Sequence, residues 1–208
     1  MIDGEEYEEV QPAISGEDQD QHQDISRYLG RSYHLDANLV YAKRRDGDWE
    51  HLLQLQKWGR YPDGKIGTRV IDLFMSEKAQ QEAARNDMLR AKKASEHFFI
   101  HVVDSFGGEA ECKKRIEDIL FPLGAKKPKD KNDVTIVYEA RQDNAILVTN
   151  DRKHILSKRA ELEAIGVRVS SPSDAVREIK SLIEERDRQA REWAKKNRRR
   201  RPEWVGKD

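Results

Sequence analysis

The chain contains a single cysteine, Cys112, among its 208 residues. One cysteine excludes an intramolecular disulfide and a cysteine-based zinc site, so a reducing compartment is expected. The sequence does not begin with a basic segment followed by an apolar run, and no apolar run approaches the ~20 residues that a membrane span needs. We therefore predict a soluble, cytoplasmic protein that makes no contact with membranes.

Basic residues are absent from the first 24 positions, which carry nine Asp or Glu. Residues 191–208 have the opposite bias, with eight Lys or Arg against three acids. The formal net charge is zero because the two ends cancel, so it does not exclude a polyanionic partner. The composition predicts three parts: a disordered acidic head (1–30), a folded domain (31–183) and a basic, mostly solvated helical extension (184–208).

Short apolar runs alternate with helical patterns inside the predicted domain. Ala145–Thr149 is continuous and short, as expected of a strand that is buried on both faces. Val70–Met75 and Val167–Val169 are further strand candidates, whereas periodicity leaves Phe98–Val103 open between strand and helix. This alternation predicts an α/β protein with three layers, α/β/α, around a mostly parallel central sheet.

Four acidic residues lie at or near the predicted ends of strands: Asp36, Glu82, Asp133 and Asp151. We expect a helix to start at Asn132 or Asp133, so that Asp133 faces the edge where Asp36 and Asp151 follow their strands. That edge is where α/β proteins bind ligands. Carboxylates gathered there repel one another unless a cation lies between them. The set therefore predicts a site for Mg²⁺ or Mn²⁺.

Each acid also has an ordinary structural interpretation when it is considered alone. Asp133 suits a helix cap, Asp151 a turn after a strand, and Glu82 an exposed helix surface. The metal-site interpretation depends on the four together. Divalent cations in such a site lower the pKa of a bound water and neutralise charge on a phosphodiester, so no Ser–His–Asp or Cys–His arrangement is required.

Enzymes and receivers that form an aspartyl phosphate are also α/β proteins with an acid after the first strand. A haloacid-dehalogenase-type phosphatase requires aspartate two positions after its nucleophile, where this chain has Asn38. A receiver requires a lysine just after a late strand, and the segment Thr149-Asn150-Asp151 lacks one. Both departures disfavour this class.

Four segments, in the right order, resemble the motifs of PIN-domain nucleases. The similarity covers roughly residues 33–169 and consists of Leu35-Asp36-Ala37-Asn38, Ile71-Asp72-Leu73-Phe74-Met75-Ser76 with Glu82 six positions later, Asn132-Asp133-Val134-Thr135-Ile136 with Ala140, and Leu147-Val148-Thr149-Asn150-Asp151. The chain departs from the family at Ala37, where Thr or Ser is common, and in the long segment between the second and third motifs.

The resemblance implies a metal-dependent endonuclease, above all an endoribonuclease, with Mg²⁺ or Mn²⁺ as cofactor. The implied catalytic and metal-binding residues are Asp36, Glu82, Asp133 and Asp151. The residues expected to orient them are Asn38, Thr149 and Asn150, with Asp130 as an extra or substitute ligand. A toxin of a toxin–antitoxin pair fits this description, so an antitoxin, another protein or a second copy of the chain are candidate partners. A DNA or flap-type nuclease, or a non-catalytic nucleic-acid-binding module, stays open.

Two basic segments are candidate nucleic-acid contacts. One is the loop that carries Lys127, Lys129 and Lys131 beside Asp133; the other consists of Arg198, Arg199, Arg200 and Arg201. Arginine binds phosphate through two hydrogen bonds, and indoles such as those of Trp193 and Trp204 can stack on exposed bases. The acidic head is expected to pair with the basic end or to cover the site.

Overall fold

Five parallel strands form the centre of the structure, a computed structural model that describes residues 26–41, 47–59, 69–85, 99–101 and 109–208. The strands are β1 (Ser32–Leu35), β2 (Asp72–Ser76), β3 (Phe99–His101), β4 (Ile146–Val148) and β5 (Arg168–Ser170). Their order in the sheet is β3-β2-β1-β4-β5, and every neighbouring pair is parallel. From β1 the strands β2 and β3 are added towards one edge of the sheet, and β4 and β5 are added towards the other. The strand order therefore reverses between β1 and β4, and α/β sheets open a ligand crevice at such a switch point.

Six α-helices lie in the described residues: α1 (Gly47–Gly59), α2 (Glu77–Ala84), α3 (Glu109–Leu120), α4 (Pro128–Gln142), α5 (Arg159–Glu163) and α6 (Pro172–Lys196). Short 3₁₀ helices cover Ala37–Tyr41 and Leu156–Lys158. Helices α1 and α6 contact each other, while α4 contacts α2, α3 and the strands β2 and β4. The three-layer α/β/α class with a parallel sheet is confirmed.

The core lies between these layers and follows the predicted apolar patterns. All three residues of β4 are buried, as expected of a central strand. Ser76 and Ser171 accept hydrogen bonds from the first turns of α2 and α6. Ala79 and Ala83 form the buried face of α2. None of the helices in the described part of the chain combines the length and the apolar character needed to cross a membrane.

Helix α4 begins earlier than the sequence predicts, and the structure decides between strand and helix for the segment around Phe99. Helix α4 begins at Pro128, not at residue 132 or 133, because Pro128 suits the first turn and Asp130 accepts a hydrogen bond from the backbone N–H of Lys127 (3.0 Å). The segment before Gly166 contains a short helix, Arg159–Glu163, which follows a 3₁₀ turn. The segment around Phe99 is a strand.

Most side chains beyond residue 183 are exposed, but this part of the chain also makes tertiary contacts. Residues 197–208, here called the C-terminal hook, fold back onto the last turns of α6. Arg186 stacks on Trp204 (4.4 Å from the guanidinium carbon to the ring centroid) and pairs with Asp208, which also pairs with Arg27. The backbone N–H of Gly206 donates to Asp187 (2.6 Å). The contact that buries this end of α6 is tertiary, so apolar periodicity did not reveal it.

Candidate metal site

Asp36 follows β1 directly and is 5% exposed. Its backbone N–H donates to the carbonyl of Val148 in β4 (3.0 Å), which extends the β1–β4 pairing to the position of the carboxylate. Burial raises the pKa of Asp36 to about 6, with further upward contributions from the charges of Glu82 and Asp151. A buried carboxylate at the switch point of the sheet is thus surrounded by negative charge.

Three polar residues hold Asp36 in place from β1 and β4. One carboxylate oxygen accepts hydrogen bonds from the Thr149 hydroxyl (2.5 Å) and from the side-chain amide of Asn38 (2.7 Å). The same Asn38 amide also donates to Thr149 (3.2 Å), and the Asn38 carbonyl oxygen accepts from the backbone N–H of Asn150 (3.5 Å). Asn38, Thr149 and Asn150, the residues that the sequence predicted to orient the ligands, therefore lie around Asp36.

Asp133 is the sixth residue of α4 and is 6% exposed. It lies inside the helix, so it is not the cap that its type alone would suggest. Burial, followed by the charge of Asp36, raises the pKa of Asp133 to about 7, and Lys129 opposes this rise. Within the described residues its carboxylate accepts no hydrogen bond and forms no ion pair. Since neither Asp133 oxygen is closed off from solvent, the carboxylate is open to a positive or donating ligand.

Asp151 lies in the turn after β4. Burial acts to raise its pKa, but hydrogen bonds from the backbone and ring of His154 outweigh it, so the pKa of Asp151 is lowered. One oxygen accepts from the backbone N–H groups of Lys153 (3.0 Å) and His154 (2.8 Å), while the other faces the His154 ring (3.3 Å). Asp151 is thus both the turn former and an ionised member of the acidic set. His154 is itself 37% exposed, and its position three residues after Asp151 is the sequence signal for this contact.

Glu82 lies on α2 and acts electrostatically on Asp36 and Asp133. The side-chain amide of Asn132 in α4 donates to Glu82 (3.3 Å), and this hydrogen bond joins the two helices. The negative charge of Glu82 raises the pKa of both Asp36 and Asp133, which locates it within electrostatic reach of them. The role of Asn132 could not be predicted from its place beside Asp133 in the sequence, since its partner Glu82 lies on another helix.

The donor set suits Mg²⁺ or Mn²⁺, because these cations prefer carboxylate and other hard oxygen ligands. Asp36 and Asp133 raise each other's energy through like charge, and Asp133 has no partner among the described residues. In the same part of the chain, no three His, Cys, Asp or Glu side chains lie close enough together to enclose a metal ion. The residues fit the ion in chemistry and burial, and the acids would have to draw closer to hold it.

The basic segments divide between the two ends of the sheet. Lys129 acts electrostatically on Asp133 and Asp151, and it is exposed together with Lys127 and Lys131 at the start of α4. Asp130 caps α4 instead of facing the other acids. Arg198–Arg201 lie beyond the far end of α6, away from all of them.

Comparison with known proteins gives distant structural likenesses only. No family model and no curated protein matches the chain. Solved structures that match include VapBC2 from Rickettsia felis, bound to a DNA fragment from its promoter. That match has 20% sequence identity and a TM-score of 0.42, and it covers 67% of this chain and 97% of the other. What this chain does must therefore be inferred from the side chains of its own site.

Proposed function

We propose that this protein is a metal-dependent nuclease of the PIN type that hydrolyses phosphodiester bonds, with RNA as its substrate. The observation that carries the proposal is the pair of buried carboxylates, Asp36 and Asp133, which repel each other at the switch point of the sheet. Proteins rarely bury two acids together without a cation, and an oxygen-lined site for one is the common basis of phosphoryl chemistry. The order of the four sequence motifs supports the same conclusion.

Each acid has a distinct part in this proposal. Asp36, Asp133 and Glu82 hold Mg²⁺ or Mn²⁺, and Asp151 supplies a carboxylate that stays ionised because His154 stabilises its charge. A bound cation would lower the pKa of a water and neutralise charge on the leaving oxygen. Thr149 and Asn38 keep the Asp36 oxygens aimed at the site, as second-layer groups do around metal ligands.

The exposed base Lys129 favours a polyanionic substrate. Its charge acts on Asp133 and Asp151, so it stands beside the proposed reaction centre without neutralising it by a direct ion pair. A phosphate that approaches these acids would otherwise be repelled. We assign Lys129 to contact with the phosphate next to the cleaved bond. The choice of RNA, and of an antitoxin or similar protein as regulator, follows from the PIN resemblance alone.

The direct test is cleavage of labelled RNA and DNA of the same sequence with Mn²⁺, Mg²⁺ or chelator. We expect RNA cleavage with either metal, none in chelator, and a loss of at least ~100-fold in Asp36→Asn and Asp151→Asn. Asp118→Asn is the matched control, because Asp118 is an exposed acid on α3. Cleavage that persists in chelator would exclude the metal mechanism, and preference for DNA would replace the assigned substrate.

Metal binding can be measured without activity. Mn²⁺ should raise the Tm of the wild-type protein. At a Mn²⁺ concentration 100 times the Kd, the free energy of unfolding should increase by about 2.7 kcal/mol. Asp133→Asn should remove this shift, whereas Asp118→Asn should retain it. An equal metal-dependent shift in all three proteins would show that the ion binds elsewhere.

A further inference from the structure

A group of exposed bases lies where α6 ends and the C-terminal hook begins. This group, here called the hook patch, consists of Lys195, Lys196 and Arg198–Arg201, all of them exposed. In the described residues none of these side chains takes part in an ion pair. Other arginines of α6 do: Arg188 pairs with Glu185 and Glu192. Within the part of the chain that the structure describes, the hook patch is therefore a concentration of positive charge without ion-pair partners, and Glu203 and Asp208 are the acids inside the hook.

The hook patch is fixed on both sides. Arg198 adopts a left-handed backbone conformation (φ 52°), and the N–H of Arg199 donates to the carbonyl of Ala194 (2.9 Å), which closes the end of α6. On the other side Val205 is buried and Gly206 is bonded to Asp187. The backbone that carries the arginines is thus anchored, so a ligand that binds them loses less conformational entropy than it would on a free tail.

The hook patch and the acidic site lie at opposite edges of the sheet. Helix α6 is capped by Ser171, directly after β5, on the edge that carries Asp36 and Asp151. Further along α6, Arg186 donates to the carbonyl of Arg27, which precedes β1 on the other edge (2.6 Å). The 25 residues of α6 span about 37 Å. The four arginines therefore cannot contact the phosphates that border the acidic site.

From this arrangement we infer that the hook patch is a second RNA-binding site, which takes the backbone phosphates of the same strand at a distance from the bond to be cut. The inference rests on the proposed function. The length of α6, about 37 Å, exceeds the roughly 20 Å that six stacked nucleotides cover at the ~3.4 Å spacing of a helical strand. Longer RNA can occupy both sites at once and gain from the second, intramolecular contact, whereas an RNA of six nucleotides can occupy only one.

The test compares the Kd of single-stranded RNAs of 6 and 24 nucleotides by fluorescence anisotropy, with Mg²⁺ and the non-cleaving Asp36→Asn background. The patch variant replaces Arg198–Arg201 with Gln. The control replaces four exposed bases on other surfaces with Gln: Lys57, Lys114, Arg115 and Lys180. We expect the affinity advantage of the long RNA to fall at least ~10-fold in the patch variant and to persist in the control. The slope of log K against log salt for the long RNA should fall by about 3, since each phosphate contact contributes ~0.7.

Equal length advantages in the patch variant and the control would overturn the inference, as would a 24-nucleotide RNA that binds no better than the 6-nucleotide RNA. Asp151→Asn provides a second background if Asp36→Asn does not fold. Cleavage by the wild-type protein is scored separately on the same RNAs. Cleavage with no effect of the patch variant would reject the second site alone. A patch effect without any cleavage would reject the nuclease proposal and leave the binding site standing.

Discussion

Replacing Asp133 with asparagine is expected to stabilise the metal-free protein at pH 8. Burial and the charge of Asp36 raise the pKa of Asp133 from its ordinary 3.8 to about 7. Because the pKa in the folded state exceeds that in the unfolded state, folding favours the protonated acid. This contribution to stability is fully present below about pH 4 and is lost as the pH rises through 7. Asparagine carries no charge, so the variant does not lose this stability as the pH rises.

The magnitude follows from the same pKa. A rise from 3.8 to about 7 corresponds to about 4 kcal/mol at pH 8 before solvent screening is taken into account. An asparagine amide without a partner costs ~1–3 kcal/mol of that gain. Solvent screening lowers this figure further, so we expect a net stabilisation of at most about 2 kcal/mol, which for a domain of this size raises the Tm by at most roughly 6 °C.

The assay is thermal unfolding in chelator at pH 8 and at pH 4, with Asp118→Asn as the control for an exposed acid. At pH 4 the gain should disappear, because the wild-type acid is then protonated in the folded state. An Asp133→Asn protein that is less stable than wild type at pH 8 would refute the reasoning. In that case a partner that offsets the repulsion from Asp36 must stabilise the Asp133 carboxylate.

Further outcomes can be checked on the same protein. Thr149→Val removes the hydroxyl bonded to Asp36 (2.5 Å), so kcat should fall about 10-fold or more and the free energy of unfolding by ~1–3 kcal/mol. Mn²⁺ binding, measured by calorimetry in buffers of different ionisation enthalpy, should weaken from pH 8 to pH 5 and release protons, because the buried acids must ionise to bind. Gly59→Ala would place a Cβ 2.6 Å from the Cβ of Leu73, so the Tm should fall with a cost of ~1–3 kcal/mol and no specific change in KM. Asp208→Asn removes a carboxylate shared by two arginines, so denaturant unfolding should show a loss of roughly 3 kcal/mol or more while metal binding persists.

The fold and the positions of the acids were accessible from the sequence because local chemistry specifies them. A continuous apolar run such as that before Thr149 marks a buried parallel strand, and serines at positions 76 and 171 mark helix starts. Once the strands are parallel, an acid after each strand must reach the same edge. Asp36 and Asp151 were therefore predictable as neighbours even though 115 positions separate them.

The features that the sequence did not predict depend on contacts between distant segments. Asn132 could be linked to Glu82 only by knowing how α4 packs on α2. The contact between the hook and α6 was hidden because the α6 residues that it buries are charged. Arg186 and Asp187 are 7% and 3% exposed and are satisfied by Arg27, Gly206 and other groups of the chain. Apolar periodicity reports burial of hydrocarbon, so a helix face buried by ion pairs and ring stacking reads as solvated.

Ionised carboxylates lower the stability of the fold in the acidic site and raise it in the hook. Asp36 and Asp133 lower stability wherever both are ionised, since burial and like charge raise the energy of the charged forms. In the hook, by contrast, the carboxylate of Asp208 has its pKa lowered by Arg27 and Arg186, so its ionised form stabilises the fold. If the acids serve a cation, neutralising variants in the site should gain stability and lose function, while neutralising variants in the hook should lose stability and keep metal binding. A site whose neutralised variants lost both together would instead be structural, and the case for a nuclease would fail with it.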